Sequence, residues 1–256
     1  MKRIGFVILL LAVLATANAR ADKLPGFSIR KVADAEGYLT SIVFDDQDRM
    51  FYSSRTGDVY RVDGTKSVHV ALVPTANVGN AALLGIAFTK HDEIVAHYVV
   101  PDLSADILTS VNLTSGDQKE LARFVCDEGR PCPSEHHGGN LIVAPDGDIF
   151  FGIGDYGSNA GPIDLWTYDS AGKQFATNVT VQEEQVEKIT HLNGKLAIPG
   201  TDPRGSGNQA FYTLEAGGWT VHSMGTSFLH CFDMVSSGSM LLAGLGADAN
   251  KPMRVS

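Results

Sequence analysis

The sequence predicts an all-β protein, and three observations support this prediction. Short runs rich in valine, isoleucine, phenylalanine and tyrosine recur along the chain, separated by clusters of glycine, proline, asparagine and aspartate. Four such runs follow one another in most of the successive units. The polar turn inside the first hairpin of each unit recurs near positions 46, 90, 146, 193 and 237, a spacing of 44 to 56 residues. Four short strands per period of about 40 to 50 residues is typical of a β-propeller blade.

The predicted strands can be assigned in chain order, beginning with an isolated strand at residues 27–32. Five units follow it. The first two contain residues 38–44, 50–53, 59–62 and 68–73, and then 83–88, 94–100, 107–113 and 120–125. The third and fourth contain residues 141–144, 149–153, 165–168 and 177–181, and then 186–192, 196–199, 210–214 and 219–224. The fifth contains residues 228–235, 240–245 and 252–255.

The number of blades follows from these units. We expect five blades, because six would have to be shorter than the turn spacing allows unless one is degenerate. The fifth unit has no clear fourth strand. If strand 27–32 joined that last blade, it would close the ring and remove exposed sheet edges, which stable propellers avoid.

The pattern of residues at the amino terminus is typical of an export signal. Lys2 and Arg3 precede an apolar run at residues 4–14, which is too short to span a bilayer, and small residues suitable for cleavage follow. The sequence therefore predicts a signal peptide at residues 1–21 and a single propeller domain at residues 22–256. We expect a secreted or periplasmic protein without a membrane span in its mature form.

The amino-acid composition disfavours some classes of binding partner. The apolar fraction of 44% allows a sizeable core, and the net charge of −9 disfavours nucleic acid and anionic membranes, which need a basic surface. Export permits disulfides. Cys126 and Cys132 bracket a loop in FVCDEGRPCPSEHH, and we favour a bridge between them over two free thiols.

The most informative stretch is EHHGGNLIVAPDGDIFFGIGDYGSN, at residues 135–159. Two apolar runs flank a Pro-Asp-Gly-Asp turn, which predicts an antiparallel hairpin. Counting outward from the turn places His136 nearly opposite Asp155. A histidine beside a carboxylate is a common general-base arrangement. The alternative is that His136 only makes a structural hydrogen bond to a neighbouring blade, and the residues alone do not decide between the two.

Metal binding is not expected at this stretch. His136 and His137 are neighbours, and adjacent side chains of an extended chain point to opposite faces, so the pair is a poor site for zinc. The other histidines occur singly on predicted strands or turns, where structural roles are expected. We therefore predict no metal ligands from the residues themselves.

The same stretch resembles the soluble pyrroloquinoline-quinone (PQQ) dependent glucose and aldose dehydrogenases, which share its His-x-x-Gly, strand, Pro-Asp turn, strand and Gly-Asp-x-Gly pattern. ALLGIAF at residues 82–88 and YLTSIVFDDQDRMFYSSRTGDVYRV at residues 38–62 resemble two further blades of that family. The resemblance covers roughly residues 38–159, less than half of the chain. It implies a six-bladed propeller that oxidises an aldose to a lactone.

The resemblance also implies roles for individual residues. His136 matches the base that takes the proton of the anomeric hydroxyl, and Asp155 matches its carboxylate partner. Asn80 and Glu135 stand where the family contacts substrate. PQQ and calcium would be the cofactors, and a sugar or glycan the ligand.

The downstream half departs from the family pattern. Its Arg-Asn-Pro-x-Gly blade opening is absent, and the lysine and Arg-x-Arg pair that hold the carboxylates of the quinone have no counterpart, so no cofactor-binding residue can be named. PQQ has three carboxylates, and its affinity depends on such cations. The sequence thus indicates a divergent and shortened relative with an incomplete cofactor site. It is either a sugar dehydrogenase or an inactive propeller that binds a glycan or protein. A calcium-dependent lactonase ranks last, because few inward acidic residues can be named.

Overall fold

The computed structural model describes residues 31–126, 132–154, 163–169, 171, 174–181, 189–192, 194–201, 209–216, 218–223, 230–237, 240–246 and 254–255. Every regular element in these ranges is a β-strand. No helix that could cross a membrane occurs in the described part of the chain. The all-β fold predicted from the sequence is therefore confirmed.

The strands form antiparallel sheets in which chain order is spatial order. The first sheet contains β1 (Leu39–Phe44), β2 (Met50–Ser54), β3 (Asp58–Asp63) and β4 (Lys66–Leu72). The second sheet contains β5 (Leu83–Lys90), β6 (Glu93–Val99), β7 (Asp106–Asn112) and β8 (Gln118–Phe124). The third sheet contains β9 (Leu141–Val143), β10 (Ile149–Gly152), β11 (Ile163–Asp169) and β12 (Gln174–Val181).

Two more sheets follow. The fourth contains β13 (Thr190–Leu192), β14 (Lys195–Thr201), β15 (Gln209–Glu215) and β16 (Gly218–Ser223). The fifth contains β17 (His230–Ser237), β18 (Met240–Gly246) and β19 (Arg254–Val255). Five sheets within the described ranges thus match the five predicted units, with differences of a few residues at strand ends. This repeated four-stranded meander is the architecture of a β-propeller.

Ring closure and the number of blades stay predictions. Only Lys31 and Val32 of the predicted strand at residues 27–32 belong to the described ranges, and neither of them lies in a strand. The predicted signal peptide at residues 1–21 lies wholly outside those ranges.

Neighbouring sheets pack face to face through apolar side chains. Ile94 of β6 lies in a core cluster with Val59 of the first sheet, whereas the next residue, Val95, lies in a cluster with Phe151 of the third sheet. Alternate residues of one strand therefore face different neighbours. Because both faces of the second sheet are buried, β6 is apolar along nearly its whole length instead of alternating with polar residues.

The first strands of successive sheets also contact one another. β1 lies against β5, and β5 lies against β9. Between the third and fourth sheets, the backbone N–H of Ile189 donates to Oδ1 of Asn140 at 3.0 Å. The beginnings of the inner strands consequently converge on one side of the molecule, and this arrangement places the candidate site.

The contact between β5 and the segment before β9 requires glycine at position 85. A Cβ atom built on Gly85 would lie 2.1 Å from the carbonyl oxygen of Gly139. We expect Gly85→Ala to lower the free energy of unfolding by about 1–3 kcal/mol, because backbone must move to relieve the overlap. Chemical denaturation measures this loss. Gly64→Ala is the reference variant. Gly64 faces open space, so this change measures only the cost of placing an alanine at a positive φ, without any steric overlap. An equal loss in both variants would contradict the close approach.

Candidate functional site

The loops that lead into β5 and β9 meet on one face of the propeller. The backbone N–H of Asn80 donates to the carbonyl of Ser134 at 2.5 Å, and both Asn80 and Glu135 are exposed. Arg55, which follows β2, donates to the carbonyl of Gly79 and, at 3.0 Å, to Oδ1 of Asn77. We call this face the loop face. It brings three of the predicted site residues into one region: Asn80, Glu135 and His136.

His136 has an unusual backbone conformation. Its φ is +54°, and Gly138 and Gly139 have φ values of +78° and +130°. Asp48, Asp92 and Leu103 have similar φ values in connections between strands, so the conformation indicates a turn of the chain. The chain therefore turns at His136 instead of entering β9 as an extended strand, and the His136 side chain is half-buried.

The sequence predicts that His136 pairs with Asp155, but Asp155 lies outside the described ranges. The hairpin itself is present, with Val143 opposite Ile149 and Leu141 opposite Phe151. Its arms stay adjacent beyond the paired strands, because N–H of Gly152 donates to the carbonyl of Asn140 at 3.4 Å. The hairpin is thus confirmed, whereas the His136–Asp155 contact stays a prediction.

The structure also shows a buried aspartate, Asp106, between two histidines, an arrangement that the sequence analysis missed. Nδ1 of His137 lies 2.9 Å from Oδ1 of Asp106, and Nε2 of His137 lies 2.6 Å from the carbonyl oxygen of Pro133. Nε2 of His97 lies 3.7 Å from Oδ2 of Asp106, which is an electrostatic contact beyond hydrogen-bonding distance. All three side chains are buried. One signal was visible: His97 and Asp106 are polar residues within strongly apolar segments.

The buried carboxyl of Asp106 is stabilised in its charged form. Burial by itself raises the pKa of Asp106, but the hydrogen bond from His137 and the nearby imidazole of His97 outweigh burial. The net effect holds the pKa of Asp106 below its ordinary value. An ionised carboxyl in contact with His137 therefore lies buried next to the segment that carries His136.

The predicted disulfide between Cys126 and Cys132 is confirmed, with a Cα–Cα distance of 5.3 Å. Cys132 is buried, and its backbone N–H donates to the carbonyl of Leu103 at 2.5 Å. The bridge therefore ties the start of the His136 segment to the second sheet.

A cavity of about 250 Å³ lies beside this segment, where β1, β5 and β9 converge. It is lined by hydroxyl, amide, apolar and backbone groups of Thr40, Ser41, Leu84, Gly85, Gly138, Gly139, Asn140 and Leu141. Gly138 belongs to the segment that carries His136, two positions after it. The sequence analysis did not identify the lining residues, because no local pattern brings the beginnings of three distant strands together.

The described lining residues do not fit PQQ. They include no lysine or arginine to neutralise its three carboxylates, and no carboxylate to bind calcium. Arg55 is the cation described above on the loop face, and its guanidinium already binds Gly79 and Asn77. The described residues therefore support no reaction step through the quinone.

A set of groups with metal-ligand spacing occurs at the opposite end of the strands. Asp45, Asp46 and His91 lie close enough together to share a cation. However, Oδ1 of Asp45 accepts the backbone N–H groups of Gln47 and Arg49 at 2.9 and 2.8 Å, which is ordinary turn chemistry. Asp46 Oδ1 lies 2.9 Å from His91 Nδ1. This cluster is far along the strands from the cavity and forms no part of the candidate site.

Comparison with known proteins supports the fold. No protein-family model matches the sequence, and no curated protein sequence matches it. A PQQ-bound aldose sugar dehydrogenase from Streptomyces coelicolor is 14% identical, with coverage of 90% of this chain and 96% of that chain and a TM-score of 0.50. A gluconolactonase from Xanthomonas campestris is 16% identical, with coverage of 84% and 72% and a TM-score of 0.58.

A chain of a nidogen/laminin complex is comparably similar, at 13% identity, coverage of 81% and 72%, and a TM-score of 0.56. At such identities the likeness concerns the fold alone. This chain is therefore a β-propeller whose structural neighbours include sugar dehydrogenases and gluconolactonases.

Proposed function

We propose that this protein binds a neutral carbohydrate in the cavity between the inner strands β1, β5 and β9. One observation carries the proposal: the described lining combines hydroxyl, amide and backbone groups with apolar side chains and contains no charged residue. Sugars present many hydroxyl groups, which donate and accept hydrogen bonds, together with apolar C–H faces. The net charge of −9 further disfavours a polyanionic ligand.

Within this proposal, His136 is a side chain that contacts the bound sugar. It is half-buried and precedes the cavity-lining Gly138 by two residues. A ring nitrogen of His136 exchanges a hydrogen bond with a sugar hydroxyl there, with Asp155 holding the orientation of the ring. Asn80 and Glu135, which are exposed on the same face, supply polar contacts to the ligand.

The proposal includes export from the cytoplasm. Residues 1–21 would act as the signal peptide, and residues 22–256 would form one secreted or periplasmic domain. The Cys126–Cys132 disulfide supports this assignment, because structural disulfides persist in oxidising compartments.

Calorimetric titration of the purified protein with a panel of neutral mono- and oligosaccharides tests the binding. We expect Thr40→Val to weaken the affinity of the bound sugar by about 2- to 10-fold, since it removes a hydroxyl from the cavity lining; this hydroxyl also lies 2.9 Å from Oγ of Ser53. Thr89→Val is the control, because Thr89 lies at the other end of β5 and binds Glu93. Equal weakening by both changes, or no sugar binding at millimolar concentration, would refute the proposed site.

A second candidate, an aldose dehydrogenase, is favoured by the sequence resemblance at residues 135–159 and opposed by the absence of cations among the described lining residues. Because the described cavity cannot neutralise three carboxylates, we expect no bound-quinone absorption band when PQQ and calcium are added at micromolar concentration. The measurement is an absorption titration followed by an assay of aldose-dependent dye reduction. A bound quinone with dye reduction would favour the dehydrogenase, and His136→Ala should then abolish turnover while leaving the band.

A further inference from the structure

Two hydrogen-bond acceptors flank the buried imidazole of His137. Nε2 lies 2.6 Å from a backbone carbonyl, that of Pro133, which can only accept. That nitrogen must therefore carry a hydrogen. Nδ1 lies 2.9 Å from Oδ1 of Asp106, a second group that accepts when ionised. His137 itself is 1% exposed, so water does not compete for these contacts.

This geometry determines how many ring hydrogens His137 needs. A neutral imidazole has one N–H, which can satisfy Pro133 or Asp106 but not both. If Asp106 is a carboxylate, both ring nitrogens of His137 carry hydrogens. If Asp106 were instead a neutral acid, it would donate to a bare Nδ1. The first arrangement agrees with the lowered pKa of Asp106 and with the approach of His97 to its second oxygen.

We propose that His137 is a permanently charged imidazolium paired with the Asp106 carboxylate, and that it serves as a positioning residue for His136. The contact between His137 and Pro133 closes a ring of five residues, and His136 is inside this ring. The ring is held on one side by Asp106 of β7 and on the other by the disulfide-bonded Cys132. His136 is thereby held in its left-handed conformation.

The surroundings suit a fixed charge pair. Within the described part of the chain, the titratable group that faces Asp106 from β6 is His97, which is 0% exposed and packs edge-on against Phe151. Glu135 and His136 belong to the segment of His137 itself. A buried pair with additional hydrogen bonds holds its geometry strongly, because separating the charges leaves one of them without compensation.

The protonation state can be tested by nuclear magnetic resonance on protein labelled with ring-¹⁵N histidine. We expect both ring nitrogens of His137 to carry hydrogens throughout about pH 6 to 8, whereas exposed histidines titrate in that range. Asp106→Asn should leave a single N–H on His137 at the upper end of that range. A bare ring nitrogen on His137 of the unaltered protein at neutral pH would overturn the charge assignment.

The positioning role rests on the proposed role of His136. Its test measures the chemical reactivity of the His136 side chain and does not depend on sugar binding. The measurement is the rate of modification of each histidine by diethyl pyrocarbonate. We expect Asp106→Asn and His137→Gln to change the rate at His136 several-fold and to leave exposed His69 unchanged. His91→Gln is the matched control, because it removes a histidine paired with an aspartate on the opposite face.

Ile198→Val controls for general destabilisation, since Ile198 is buried in the fourth sheet. A change at His136 that Ile198→Val or His91→Gln reproduces would overturn the positioning role. If no sugar binds but His136 responds only to the Asp106 and His137 variants, the positioning role stands and the proposed function fails.

Discussion

Replacing Phe151 by alanine is expected to lower the free energy of unfolding by about 3–5 kcal/mol, because it empties the largest fully buried side chain of the described core. Phe151 of β10 is 0% exposed and packs edge-on against His97 and Phe124, at ring-centroid distances of 6.0 and 5.5 Å. It thus joins the second and third sheets beneath the candidate site. Equilibrium denaturation in urea measures the loss.

Phe44→Ala is the matched control for this prediction. The side chain of Phe44 is 56% exposed at the end of β1, so its removal leaves no cavity, and we expect a change below about 1 kcal/mol. Comparable losses in the two variants would show that Phe151 does not join the sheets as the structure describes. A loss at Phe151 alone would agree with the packing.

Replacing Asp106 by alanine is expected to lower the free energy of unfolding by about 3–5 kcal/mol at neutral pH. The change removes the counter-charge of the buried His137 and leaves its Nδ1 without the partner described above. His91→Gln removes one partner of an exposed pair, and we expect it to change stability far less than Asp106→Ala does, because solvent screens exposed ion pairs. Equal effects of the two changes would argue against a buried charge pair.

The same carboxyl predicts a dependence of stability on pH. The pKa of Asp106 is lower in the folded protein than its ordinary value of 3.8, because the hydrogen bond from His137 and the nearby His97 outweigh the opposing effect of burial. Its stabilising contribution is therefore complete above pH 3.8, and it is lost as the pH falls through the lower folded pKa. The Asp106→Asn variant has no carboxyl at this position, so its stability should not show this part of the decrease at low pH.

The measurement is the difference in unfolding free energy between the unaltered protein and Asp106→Asn, followed from neutral pH into acid. Other carboxyls titrate in the same range: the ammonium of Lys195 lowers the pKa of Glu215, and hydrogen bonds from Ser104 lower that of Asp102. Both remain in the two proteins, so their contributions cancel. A difference that does not shrink in acid would contradict the prediction.

Much of the fold was predictable from the sequence because its signals are local. Runs of β-branched and aromatic residues, together with turn residues at regular spacing, predicted the strands to within a few residues. The hairpin of β9 and β10 is an example: Gly147 has a φ of +94°, and N–H of Gly147 donates to the carbonyl of Ala144. The disulfide was predictable for the same reason, since its cysteines are six positions apart.

The candidate site was only partly predictable. The sequence singled out His136, Glu135 and Asn80, and the structure brings them to one face. It could not show that His137, the neighbouring histidine, is the one buried against Asp106, because that contact spans 31 positions and two sheets. The packing of the loop before β9 against β7 decides which of the two adjacent imidazoles is buried: His137 contacts Asp106, whereas His136 is half-buried.

The sequence by itself thus determined which segments form strands, their order and their grouping into four-stranded units, since hydrophobic periodicity and turn chemistry act over a few residues. The tertiary structure alone decided which polar groups become buried and what they contact. The cavity between β1, β5 and β9 and the buried contact between His137 and Asp106 both arise where distant segments of the chain pack against one another. Burial and electrostatics depend on atoms that are distant in the chain, so no local pattern specifies them.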